Sequence, residues 1–155
     1  MVPSTLPSVL LVEDSEDDLF FFRRLLKKAG VDVPLAVATD GQQAIDFLKR
    51  SLPGTSPAPV APPRLMFLDL KLPLKGGFEV LQWMRAEPSL SRVVVVVLSS
   101  SAETRDVAQA FASGAQGYLV KHPAPAVIAE LLRRVQALPA GASLTELDVP
   151  DTLRA

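Results

Sequence analysis

Residues 93–98 read Val-Val-Val-Val-Val-Leu. β-Branched side chains restrict χ1 and favour extended backbone. A run with no polar alternation has no face to offer water, so it belongs in the middle of a sheet covered on both sides, typically a parallel one. Shorter apolar runs recur around it at 9–12 (Val-Leu-Leu-Val), 35–38 (Leu-Ala-Val-Ala), 65–68 (Leu-Met-Phe-Leu) and 118–120 (Tyr-Leu-Val). Helical patterns separate or follow these runs at 15–29, 41–50, 78–86, 103–113 and 126–138. The first helix is the best marked. Ser15 is its N-cap, Glu16, Asp17 and Asp18 fill the first turn, and Gly30 lies just past the end. Pro125 introduces the last helix. Five strands alternating with five helices predict an α/β domain, a doubly wound five-stranded parallel sheet with helices on both faces.

Composition sets outer limits. A chain of 155 residues makes one domain of ordinary size, and 48% hydrophobic residues can fill its core. A net charge of −1 gives no electrostatic case for a nucleic-acid partner. The absence of cysteine excludes disulfides, thiolate zinc sites and thiol chemistry. No apolar run approaches the roughly 20 residues of a membrane span, and the N-terminus lacks the pattern of a signal peptide. The expectation is a cytoplasmic domain over residues 1–138, with no membrane contact. Residues 52–63 carry Pro53, Gly54, Pro57, Pro59, Pro62 and Pro63, which predicts a surface loop. The tail at 139–155, with Pro139, Gly141 and Pro150, is expected to be flexible or to dock through Leu144 and Leu147.

The chemistry gathers at strand ends. Asp69 follows the run at 65–68, Glu13 and Asp14 follow 9–12, Ser99 follows 93–98, and Lys121 follows 118–120. The carboxyl edge of an open α/β sheet is where ligands bind. Each residue alone has a bland explanation as a cap, a turn residue or a solvated charge; their coincidence at consecutive strand ends carries the inference. A carboxylate can accept a phosphoryl group, and catalysis of that transfer is mostly positioning and electrostatic stabilisation. Glu13, Asp14 and Asp69 would repel one another unless a cation joined them, and oxygen-only ligands suit Mg²⁺. Lys121 supplies a positive charge and Ser99 a hydroxyl.

These residues resemble the response-regulator receiver domain, the phosphoacceptor module of bacterial two-component signalling. The likeness rests on Val9-Leu10-Leu11-Val12-Glu13-Asp14, on Leu68-Asp69-Leu70-Lys71-Leu72-Pro73 with Gly76-Gly77, on Val96-Val97-Leu98-Ser99, and on Gly114-Ala115 with Gly117-Tyr118-Leu119-Val120-Lys121. It covers roughly residues 7 to 138. The resemblance implies a flavodoxin-like fold and Asp69 as phosphoacceptor. It implies Mg²⁺ held by Glu13, Asp14, Asp69 and the backbone carbonyl of Lys71. Ser99 takes the place of the switch hydroxyl, Lys121 pairs with phosphoryl oxygens, and Tyr118 is the aromatic switch that moves inward. It also implies a sensor histidine kinase as partner and a homodimer through helix 4, strand 5 and helix 5, a face including Phe111 and Tyr118. Such a module catalyses only its own phosphorylation and dephosphorylation and is not a conventional enzyme. With too few residues after helix 5 for an effector domain, output is expected through protein contact or onward phosphotransfer. The proline-rich loop, the Leu-Pro-Leu-Lys-Gly-Gly turn and the serines at 99–101 resemble the stand-alone regulators paired with bacterial phytochromes.

The sequence departs from the family's pattern at three points. Its lysine is usually followed directly by a proline in a cis bond, whereas here His122 intervenes, leaving a candidate cis bond at Pro123. His122, the only histidine, reads as an exposed loop residue. Serine at position 99 lacks the methyl that restrains threonine, so switching is expected to be less sharply coupled. On the first helix, a spacing of about 100° per residue sets Phe21, Phe22, Leu25, Leu26 and Ala29 on one face as core. Phe20 points nearly opposite among Arg23, Arg24 and Lys27, a contact point for a kinase or second subunit.

Two rival functions stand beside the receiver. An aspartyl phosphatase needs a second acid two residues after the nucleophile, where Lys71 stands instead. A pseudo-receiver acting only as a binding module conflicts with the complete set of acids, hydroxyl and lysine. No glycine-rich phosphate loop supports nucleotide binding.

Overall fold

A computed structural model of the chain describes residues 8–55 and 61–138. The expected tail at 139–155 and the centre of the proline-rich loop, 56–60, lie outside the described residues. Five strands and five helices follow the alternation in the sequence. They are β1 (Val9–Val12), α1 (Glu16–Lys28), β2 (Leu35–Ala38), α2 (Gly41–Lys49), β3 (Leu65–Leu68), α3 (Gly77–Arg85), β4 (Val94–Ser99), α4 (Thr104–Ala112), β5 (Gly117–Val120) and α5 (Pro125–Ala137). A short 3₁₀ turn, Pro88–Leu90, leads into β4.

All strands pair parallel, in the order β2-β1-β3-β4-β5. Alternate residues of each strand enter two separate cores. Leu10, Val12, Met66, Leu68, Val95 and Val97 pack with α2, α3 and α4, through residues such as Leu48, Leu81, Met84 and Ala110. Val9, Leu11, Leu65, Phe67, Val94 and Val96 pack with α1 and α5, through Phe22, Leu26, Ile128, Leu131 and Val135. Every valine from 93 to 97 is buried, as a strand covered on both faces requires.

The sheet order reverses direction at β1, so the switch point of the fold lies between β1 and β3. Register then places the chemistry. Val12 pairs with Leu68, and one step further along are Glu13 and Asp69. Ser99 pairs with Val120, so Lys121 follows at the same edge. Gly77, the first residue of α3, lets that helix start directly over the phosphoacceptor candidate. A Cβ there would lie 2.4 Å from the Asp69 carbonyl oxygen and 2.7 Å from Leu70 Cα.

The apolar stripe of α1 is narrower than the spacing predicts. Phe22 and Leu26 are buried, and Phe22 meets Phe67 edge-on with ring centroids 5.0 Å apart. Phe21, expected in the core, is 48% exposed. The helix is rotated so that Phe22 faces the sheet, which leaves Phe21 against the β5–α5 loop. There its ring meets His122 at 5.2 Å. Phe20 is exposed, as expected. All described peptide bonds are trans, so the candidate cis bond at Pro123 is not present.

Candidate functional site

At the carboxyl edge of the sheet, Asp69 leaves β3 with its backbone N–H donating to the Val12 carbonyl at 3.1 Å. Its side chain is buried and divided between two donors. Oδ1 accepts from the Lys71 backbone N–H at 3.1 Å and Oδ2 from Lys121 Nζ at 2.8 Å. Glu13 is tied to β2 through its N–H and the Ala38 carbonyl, 3.0 Å apart. Its carboxylate accepts from the Ser15 N–H at 3.2 Å and from Lys121 Nζ at 3.1 Å. Asp14 is exposed. Carboxylate oxygens of Glu13, Asp14 and Asp69 lie within 4.8 Å of one another.

That trio fits a hard divalent cation. Its ligand atoms are all oxygens, and ligand distances of about 2.0–2.1 Å around Mg²⁺ or 2.3–2.6 Å around Ca²⁺ need only small side-chain shifts to close on it. The exposed Asp14 leaves room for waters. Electrostatics point the same way. Burial, then the shared hydrogen bond and charge of Asp69, pushes the Glu13 carboxyl up to about 8, against the opposing pull of Lys121. Buried carboxylates this close keep a proton unless positive charge replaces it.

Lys121 is the local counter-charge. Burial opposes its charge, but the hydrogen bonds it donates to Asp18, Asp69 and Glu13 more than offset that and raise its pKa above the ordinary value. Its backbone N–H donates to the Ser99 carbonyl at 2.8 Å, which fixes it beside β4. Ser99 is buried, and its Oγ accepts from the Ser101 N–H at 3.1 Å. Tyr118 is wholly buried, and its hydroxyl donates to the Ser101 carbonyl at 2.7 Å. Tyr118 therefore presents no surface to the dimer face in which the sequence reading placed it, while Phe111 is partly buried against the core. Lys71, after Asp69, is exposed.

Sequence reasoning missed Asp18. Its Oδ2 accepts from Lys121 Nζ at 2.8 Å, as close as Asp69 does, and its Oδ1 lies 3.5 Å from His122 Nε2. Burial alone would raise the Asp18 carboxyl. Its bond to Lys121 and that residue's charge outweigh burial, helped by Glu13 and His122, and hold it below the usual carboxylate range. A signal existed: Asp18 lies four residues before Phe22, hence on the inward face of α1. The helix N-terminus, which favours all three first-turn acids alike, masks that signal.

A parallel α/β sheet carrying acids at its switch point and a lysine at the end of β5 defines an aspartate-centred receiver. The comparisons agree: residues 9–133 match the family model described as response regulator receiver domain, and the chain belongs to that family. The response regulator Rcp1 of Synechocystis is 38% identical over 114 residues, covering 73% of this chain and 75% of Rcp1. The structure of the bacteriophytochrome response regulator AtBRR superposes with a TM-score of 0.70 at 31% identity, covering 88% of this chain and 99% of that one. The phosphorylated cyanobacterial phytochrome response regulator RcpA gives a TM-score of 0.67 at 27% identity, over 84% of this chain and 91% of RcpA. The chain thus resembles phytochrome response regulators. No helix among the described residues is long and apolar enough to cross a membrane.

Proposed function

We propose that the chain is a response regulator that accepts a phosphoryl group on Asp69 from a sensor histidine kinase. The observation that carries this reading is Lys121 Nζ at 2.8 Å from Asp69, beside a carboxylate trio suited to a cation. Glu13, Asp14, Asp69 and the backbone carbonyl of Lys71 would hold Mg²⁺, and bound Mg²⁺ would offset charge on the phosphoryl oxygens. In the transfer, an Asp69 carboxylate oxygen attacks phosphorus, the bond to the donor breaks, and the donor leaves with that electron pair. Lys121 meets one phosphoryl oxygen and the Ser99 hydroxyl donates to another. Ser99 shifting toward the phosphoryl group would release the Ser101 N–H, and with it the loop whose carbonyl holds Tyr118.

The relatives, whose names tie them to phytochromes, support a phytochrome-type partner for this chain. Pairing with a phytochrome-type kinase in the cytoplasm, a receiver spanning residues 1–138, and a homodimer through α4, β5 and α5 belong to the same reading. So do the absence of turnover on outside substrates and output through protein contact or onward phosphotransfer. A binding module without phosphorylation fits less well, because it leaves the buried Glu13–Asp69–Lys121 cluster without a use.

Incubation with Mg²⁺ and acetyl phosphate should add one hydroxylamine-labile phosphoryl group to the peptide containing Asp69. Asp69→Asn should take none. A wild-type chain that stays unmodified while binding Mg²⁺ would sink the reading.

A further inference from the structure

Lys121 has three N–H donors, and three different carboxylates accept from it: Asp69 and Asp18 at 2.8 Å and Glu13 at 3.1 Å. Two of these belong to the site already described. Asp18 does not, yet it is held as firmly. Its backbone N–H donates to the Ser15 cap at 3.3 Å, its second oxygen faces His122, and the His122 ring abuts Phe21. His122 reaches this position with φ at 62°, in the left-handed region that a side chain rarely adopts.

A phosphoryl group on Asp69 brings new oxygens to an ammonium with no spare donor. One existing acceptor must then be given up or shared. Glu13 has an alternative counter-charge in a cation beside Asp14. Asp18 is absent from the carboxylate trio, and among the described residues its cationic partner is Lys121, with the His122 imidazole beside it.

We propose that Asp18 is a positioning residue for phosphoryl transfer, tethering the Lys121 ammonium beside Asp69 and then competing with the phosphoryl oxygens for it. The inference rests on the phosphoacceptor reading above. Asp18 thereby sets how much of the lysine's charge the transferring group meets. Removing its charge while keeping an oxygen in place frees Lys121 for the phosphoryl group.

The test measures the initial rate of adduct formation on the full chain with acetyl phosphate and Mg²⁺. Asp18→Asn should raise that rate about three- to ten-fold, the scale of one unit charge at contact distance under water-like screening. Asp18→Glu should return it to within two-fold of wild type. In a Lys121→Ala background, Asp18→Asn should change the residual rate less than two-fold, because Asp18 acts only through that ammonium. Asp18→Ser provides a second neutral variant should the asparagine fold poorly, and it is expected to move the rate in the same direction.

Wild type forming the adduct while both neutral variants stay within two-fold of it would overturn the proposal, leaving Asp18 an ordinary ion pair. The same change persisting without Lys121 would also overturn it. Absence of adduct on wild type would remove the phosphoacceptor reading itself and this inference with it.

Discussion

Leu74 combines two unfavourable conditions, a φ of 66° and a side chain 79% exposed. Left-handed backbone costs an L-residue about 1–2 kcal/mol, and an exposed leucine recovers almost none of that through burial. Glycine adopts this conformation freely but loses more chain entropy on folding. Leu74→Gly should therefore raise the unfolding free energy by roughly 0.5–1 kcal/mol, read from a urea midpoint at unchanged slope. A lower midpoint would show that the leucine side chain stabilises the loop. His122 is the other non-glycine residue with positive φ among those described. The two sit in the loops after β3 and β5, on either side of the acidic cluster, and backbone strain tends to gather at functional sites. Glu13, Asp14, Asp69, Ser99 and Lys121 were legible because the residue ending or following a parallel strand falls at a predictable edge. Phe21 was not, and Asp18 only in part. The four-residue spacing to Phe22 turns Asp18 inward, but its meeting with Lys121 and His122, like the exposure of Phe21, depends on how α1 is rotated on the sheet and on where the β5–α5 loop places those residues.

Arg85 ends α3 and ties together elements that the alternating pattern leaves unconnected. Its guanidinium donates to the Gly114 carbonyl at 3.0 Å, to the Val93 carbonyl at 3.2 Å, and to Gln116 Oε1 at 2.9 Å, with a longer contact to the Leu90 carbonyl at 3.4 Å. Gln116 Oε1 also accepts from the Val95 N–H at 2.8 Å. The network joins the end of α3 to the start of β4 and the approach to β5. Gly114 is doubly constrained there, with φ at 105° and a would-be Cβ 2.6 Å from Arg85 Cγ. Removing a charged donor from several part-buried acceptors strands them. Arg85→Met should cost about 2–4 kcal/mol in urea unfolding, with the Asp69 phosphorylation rate within two-fold of wild type because the network lies at the opposite end of the sheet. A cost below about 0.5 kcal/mol, the scale of an ordinary surface change, would refute that role. The elements themselves were readable to within a few residues, with Ser99 falling inside β4 rather than after it. This network was not, because its bonds join residues up to 31 positions apart.

Over the whole molecule, the fold concentrates four acids at one sheet edge around a single lysine: Glu13, Asp14, Asp18 and Asp69 with Lys121. Without a cation the Glu13 carboxyl takes stability away from the folded state at neutral pH. The Glu13 carboxyl sits at about 8 in the folded chain against an ordinary 4.5. Between those values the folded protein holds a proton that the unfolded chain has released, so Glu13's contribution to stability falls as pH rises through that window. The neighbouring groups leave this slope intact. Lys121 is raised above 10.5, so its contribution is constant until well above pH 8. Asp18 is lowered below 3.8, so its contribution is lost only in acid below the window. A bound cation reverses the situation, because it replaces the proton on the carboxylates and stabilises the folded state by mass action. In a chelator, the thermal midpoint is expected to be lower at pH 8 than at pH 5.5. Millimolar Mg²⁺ should shrink or reverse that difference, raising the midpoint more at pH 8. Asp69→Asn should flatten the chelator profile as well, since the Asp69 hydrogen bond and charge contribute to holding the proton on Glu13. A metal-free midpoint that rises steadily from pH 5.5 to pH 8 would mean that the cluster is already satisfied without a cation, and would remove the energetic reason for binding one there.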